Sequence, residues 1–156
     1  MKPIAALLAA GIALAPFVSH AQSAALQKTQ AAAPAKAAHK PVARNRVVLQ
    51  VSDADPAKWN LALNNAENLQ QALGKKNVSV EIVAYGPGIG MLKSDSKVAD
   101  RLNGAMDNKV GLIACGTTMK KAKLTQDDLA GGVKVVPGGV VHIMQRQRAG
   151  WAYVRP

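Results

Sequence analysis

The chain of 156 residues contains one cysteine, Cys115, at the end of an apolar run, VGLIAC (110–115), and directly before Gly116-Thr117-Thr118. Amide N–H groups at a helix start favour an anion, and they depress the pKa of a thiol placed beside them. If a helix opens at Gly116, Cys115 is a candidate nucleophile. Lys120 and Lys121 add positive potential, whereas Asp53 or Asp55, if close, would oppose it. The same position also suits a small buried hydrophobe. Sequence leaves both readings open, because exposure and local field decide the reactivity of a thiol. One cysteine forms no intrachain disulfide, so the fold must stand on its core. In an oxidising compartment it marks a reactive thiol or an intermolecular link.

The other candidates for chemistry are weaker. Gly86-Pro87-Gly88-Ile89-Gly90 lacks the Lys-Ser/Thr ending of a phosphate-binding loop. It reads as a tight turn with close backbone approach, and its amides at Gly86, Gly88 and Gly90 are candidates to line a pocket beside Cys115. Metal chemistry is limited by ligand count. His142 is the only histidine after residue 44, and no Cys-x-x-Cys or His-x-x-x-His pair exists. Cys115, Met119 and His142 form a conceivable soft set for Cu(I). Methionine and histidine at such positions more often pack or face solvent, so neither a metal nor a cofactor is expected. No Ser/His/Asp arrangement stands out.

These residues need elements to hold them. RVVLQV (46–51) is a β-rich run, and Ser52-Asp53-Ala54-Asp55-Pro56 after it supplies turn and helix-capping chemistry. Trp59, Ala62, Leu63, Ala66, Leu69 and Leu73 recur at three- and four-residue steps, which predicts a helix ended by Gly74. VSVEIVAY (78–85) reads as a second strand. Val98, Leu102, Ala105 and Met106 set out a second helix, and VGLIAC reads as a central strand covered on both faces. Thr125 to Asp128 has the spacing of a capping box. Val133–Val136 is a short strand, a last helix runs through Val140, Val141 and Met144, Gly150 closes it, and Trp151–Val154 is a terminal strand. Strands alternating with helices predict a mostly parallel sheet with helices on both faces. Right-handed crossovers then bring the turns 52–55, 86–90, 115–118 and 137–139 to one edge, where open α/β sheets bind ligands.

The N-terminus bounds the compartment. Met1-Lys2 precedes an apolar stretch from Ile4 to Val18 that is shorter than the ~20 residues a membrane span needs, and Ser19-His20-Ala21 offers a small-x-small exit. Residues 1–21 are expected to be a cleaved secretory leader, which makes the protein periplasmic and without stable membrane insertion. Residues 22–44, rich in Ala, Gln, Lys and Pro, are expected to form a disordered tether. The whole chain carries 20 Lys and Arg against 9 Asp and Glu. Five of those bases (Lys2, Lys28, Lys36, Lys40, Arg44) precede residue 45, so the domain at 45–156 is only mildly basic. Export and the scarcity of aromatic residues argue against nucleic acid. A small oxyanion, anionic headgroups or simple solubility accounts better for the charge.

Long, unusual strings make the domain recognisable. VLQVSDADPAKWNLALNNAENLQQALG (48–74), VEIVAYGPGIGML (80–92), CGTTMKK (115–121) and VKVVPGGVVHIMQRQRAGWAYVRP (133–156), in that order, resemble the DsrE/DsrF-like (YchN-like) family of sulfur-relay proteins. The resemblance implies a flavodoxin-like, three-layer α/β/α sandwich on a five-stranded sheet, and assembly into homotrimers or homohexamers. In relay members a cysteine at the end of a central strand carries sulfane sulfur as a persulfide, and Cys115 matches that position. Two functions are then expected. One is a periplasmic sulfur carrier of sulfurtransferase type in which Gly116, Thr117 and Thr118 offer donors to the sulfur anion and the Gly86–Gly90 loop closes the pocket. The other is a non-catalytic oligomeric protein with an inert cysteine that binds a small anion or a partner.

Overall fold

The computed structural model describes residues 45–156. The expected leader (1–21) and tether (22–44) lie outside the described residues. Five strands, β1 (Asn45–Val51), β2 (Val78–Ala84), β3 (Gly111–Cys115), β4 (Lys134–Val136) and β5 (Ala152–Val154), alternate with α1 (Pro56–Leu73), α2 (Ala99–Asp107), α3 (Gly116–Lys121) and α4 (Gly139–Arg148). All strand pairs are parallel, in the order β4-β3-β2-β1-β5. The chain therefore steps in one direction from β1 to β4 and returns over the sheet to set β5 beside β1. Right-handed crossovers put helices of the outward steps on one face and the helix of the return on the other. That is the distribution observed.

Side-chain alternation divides the sheet between these two layers. Val47, Leu49 and Val51 of β1, with Val80, Ile82 and Ala84 of β2, pack under Trp59, Ala62, Leu63 and Ala66 of α1 and Leu102 of α2 in the larger core. Val48, Val83 and Ile113 face the other way and meet Ile143 of α4 in a smaller one. Burying each such aliphatic side chain is worth about 1.5–3 kcal/mol, so the α1 side supplies most of the apolar stabilisation. Tyr85, Cys115 and Val136 follow the same alternation onto the α4 side.

Local chemistry starts α1 where the sequence predicts. Asp55 caps α1 by accepting from the Ala57 N–H at 2.8 Å, with Pro56 at the first helical position. The Trp59 indole N–H donates to the Asp53 carbonyl at 2.7 Å and ties the helix to the β1 turn. Two expectations change. Gly86–Leu92 is a seven-residue 3₁₀ segment and not a bare turn. The capping box at Thr125 and Asp128 forms, but it opens only the single 3₁₀ turn Gln126–Asp128. Helix α4 runs through Val140, Val141 and Met144 as expected; it buries Gly139 and Ile143 and leaves those three exposed. The cause is Glu81 on the sheet beneath it, which draws His142 and Arg146 inward.

Candidate functional site

The outward helices and the return helix diverge between β3 and β4. Met119 of α3 packs into the α1-side core, whereas α4, after β4, covers the opposite face. Adjacent parallel strands whose connections leave for opposite faces create a crevice at their C-terminal ends. Cys115 is the last residue of β3 and pairs with Val136, the last of β4, so it stands in that crevice. A cleft of about 580 Å³ opens there, with Cys115, Thr117, Thr118, Lys121 and Ala122 on one wall and Gly138, Gly139, Val140 and Val141 on the other. Tyr85 and Gly86 close its third side.

Cys115 is 6% exposed. Burial pushes its thiol up, but hydrogen bonds from the Thr118 hydroxyl and from the backbone N–H groups of Gly139, Thr118 and Thr117 outweigh that penalty, and the net pKa lies below the ordinary thiol value. The donors come from the first turns of two helices, α3 and α4. Thr118 is held for the task. Its hydroxyl oxygen accepts from the Gly86 N–H at 2.9 Å, which leaves the hydroxyl proton free to point at the sulfur. The Thr117 hydroxyl instead donates to the Pro137 carbonyl at 2.9 Å and staples α3 to the turn before α4. Gly139 permits the close approach: a β-carbon there would lie 3.1 Å from that of Cys115 and 3.3 Å from that of Tyr85. Burial, with the nearby Tyr153, Asp53 and Cys115 reinforcing it against Arg155, holds the Tyr85 phenol above its usual range. A neutral hydroxyl and the Lys121 ammonium thus border the thiol.

A family model for the DsrE/DsrF-like family matches residues 46–156, nearly all of the described domain. The chain belongs to the DsrE/DsrF-like family. The protein of unknown function MTH1491 from Methanobacterium thermoautotrophicum is similar to it at 37% identity and a TM-score of 0.69, over 72% of this chain and 99% of that one. BT1422 from Bacteroides thetaiotaomicron (12% identity, TM-score 0.61, 75% and 99% covered) and the ychN protein of E. coli (15%, 0.60, 72% and 99%) share the fold. No match was found among curated proteins. At the level of the family the associated process is sulfur relay.

Within this DsrE-like domain the site residues read from sequence separate into two groups. Cys115, Thr117, Thr118 and Gly86 meet in the cleft. Gly116 starts α3 behind it, with the Val136 carbonyl 3.1 Å from where its β-carbon would be. Gly88 and Gly90 lie away from the cleft and serve packing. A β-carbon on Gly88 would come within 2.4 Å of the Val51 carbonyl oxygen, and Gly90 rests against the Trp59 ring. Nor do the soft ligands converge: Met119 is in the α1-side core, and His142 Nε2 is 2.8 Å from Glu81 Oε2. Among the described residues no group of three or more His, Cys, Asp or Glu is poised to hold a metal. Sequence reasoning missed Tyr85 and the Gly139 amide. The signal for the second was present in Pro137-Gly138-Gly139, a glycine pair at the start of a helix on the expected edge.

Proposed function

We propose that the protein is a periplasmic sulfur carrier that holds sulfane sulfur as a persulfide on Cys115. The observation that supports this most is the ring of hydroxyl and amide donors around a single thiol at the topological switch point, which favours a sulfur anion over a neutral group. The Cys115 thiolate attacks the outer sulfur of a sulfane donor. One S–S bond forms, the donor's S–S bond breaks, and its leaving group, a thiolate or shortened polysulfide, or sulfite when the donor is thiosulfate, departs with the electron pair. The Cys115 persulfide is itself an anion, suited to the same donors and to Lys121 on the cleft wall. An acceptor thiolate then attacks the outer sulfur, and Cys115 departs as a thiolate, so each transfer exchanges sulfur with no net oxidation. Gly116, Gly88 and Gly90 shape the backbone around this chemistry and touch none of the reacting atoms.

Two further proposals accompany this one. The composition of residues 1–21 supports export, and the exposed Val140, Val141 and Met144 on α4 support assembly of several copies, as homotrimers or homohexamers. The direct test is mass spectrometry of the full chain after incubation with polysulfide or thiosulfate. Cys115 is expected to gain the mass of one sulfur and to lose it to an added thiol. A control thiol that becomes labelled while Cys115 does not removes the carrier reading. The competing reading, an inert cysteine in an oligomeric binding protein, is favoured by the 6% exposure of Cys115. It expects alkylation of native Cys115 no faster than that of an ordinary buried thiol, and a Cys115→Ser variant that keeps its biological role.

A further inference from the structure

Helix α4 turns charge inward. His142 Nε2 lies 2.8 Å from Glu81 Oε2, and Arg146 grips the same carboxylate twice, Nε to Oε2 at 2.7 Å and Nη2 to Oε1 at 2.5 Å. The Glu81 side chain, on the α4 face of β2, is 13% exposed. Gly111 on the next strand makes room for it, since a β-carbon there would sit 3.0 Å from Glu81 Cγ. Arg146 also stacks over the Trp151 ring at 4.8 Å and accepts from the Trp151 N–H through its carbonyl. Buried ion clusters of this kind are often replaceable by apolar side chains with no loss of stability. Their best-attested use is to select one arrangement among several.

The arrangement selected here is the seat of α4. His142 and Arg146 are four residues apart, one helical turn, so a carboxylate that bonds both fixes the helix along its axis and about it. Three residues before His142 is Gly139, which packs on Cys115 so closely that a β-carbon there would lie 3.1 Å from the cysteine's, and whose N–H is among the donors that lower the thiol's pKa. A slip of one residue moves that amide about 1.5 Å along the axis and rotates it by roughly 100°, beyond hydrogen-bond reach. The apolar contacts of α4 do little to prevent such a slip, because Ile143 is its one large buried side chain.

We propose that Glu81 is a positioning residue: by holding His142 and Arg146 it fixes α4 in the register that aims the Gly139 N–H at the Cys115 sulfur. The proposal rests on Cys115 being the working thiol and not on the identity of any sulfur donor. The titratable groups that border Cys115 are Tyr85, just after β2, and Lys121 from α3. Those that face Glu81 are His142 and Arg146 from α4, and its strand partners, Val48 on β1 and Gly111 on β3, carry no charge.

The test is the pH profile of Cys115 alkylation by iodoacetamide, on the full chain, for the native protein and for Glu81→Gln, with thermal melts alongside. The sign separates positioning from charge. Removing a carboxylate and leaving Arg146 unneutralised would by itself favour the thiolate and move the profile to lower pH. Loss of positioning moves it to higher pH, and the thiolate fraction near neutral pH falls about tenfold, the size of one hydrogen bond to a charged group. A profile that stays in place or moves to lower pH overturns the proposal. If Glu81→Gln does not fold, the triple variant Glu81→Met, His142→Leu, Arg146→Met replaces the cluster with apolar groups, and the same reading applies to it. No sulfur donor enters the assay, so its failure and a failed persulfide assay are independent results.

Discussion

Replacing Thr118 with valine removes one hydroxyl from the Cys115 sulfur and keeps the branched shape of the side chain. The hydroxyl is a donor whose proton is directed at the sulfur because its oxygen already accepts from Gly86. A hydrogen bond to a charged group is worth about 1.5–3 kcal/mol, and Thr118 is only half-buried, which favours the lower end. At 1.36 kcal/mol per factor of ten, about 1.5 kcal/mol corresponds to a roughly tenfold loss of thiolate at any pH below the thiol's pKa. Nucleophilicity rises with basicity, with a coefficient of about 0.4–0.5, so the observed alkylation rate falls less, by about threefold. The pH midpoint moves upward by the whole effect. The assay is the iodoacetamide rate across pH for the native protein, Thr118→Val and Thr118→Ser, the last of which keeps the hydroxyl and is expected to restore the profile. Stability falls by about 1 kcal/mol, because the Gly86 N–H loses its acceptor. A Thr118→Val profile that superimposes on the native one, in a protein that melts normally, refutes the claim that donors around Cys115 stabilise its anion.

Gly139→Ala places a β-carbon 3.1 Å from the Cys115 β-carbon and displaces the first turn of α4, so its alkylation profile also shifts to higher pH. Gly88→Ala puts a β-carbon 2.4 Å from the Val51 carbonyl oxygen; a loss of about 3 kcal/mol or more in denaturant titration is expected, with Cys115 chemistry unaltered in the folded fraction. Because the folded pKa of Cys115 lies below the ordinary thiol value of 9.0, the unfolded chain binds more protons between the two values. Cys115 therefore contributes stability that is complete above pH 9.0 and is lost as pH falls through the folded value, and Cys115→Ser flattens that slope in denaturant titrations across pH. Val141→Asp, at a side chain 52% exposed on α4, is expected to shift sedimentation toward the monomer while the far-UV spectrum stays native; an unchanged oligomer places the assembly surface elsewhere.

Much of the fold is legible in the residues. The α1 stripe from Trp59 to Ala66, the Asp55-Pro56 start and the apolar runs at 47–51 and 110–115 each satisfy a local rule, and each appears where that rule puts it. The edge that gathers Cys115, Gly86 and Pro137–Gly139 follows from parallel pairing and crossover handedness. The inward face of α4 was not legible. Hydropathy picks out Val140, Val141 and Met144 as apolar residues of the helix, but it has no means of knowing that Glu81 waits on the sheet. Gly88 and Gly90 were read as binding residues for a related reason: a glycine that makes room for a ligand and one that makes room for Val51 or Trp59 look the same in a string.

The sequence by itself determined the order of strands and helices, the parallel winding, the family and the strand-end position of Cys115, because periodicity, capping and handedness act over a few residues or through general chirality. Only the tertiary structure decided which side of α4 is buried and that its first amide meets the thiol. Those outcomes depend on partners distant in the chain, with Glu81 and His142 separated by 61 positions. No local pattern carries the free energy of a contact between elements that have not yet packed.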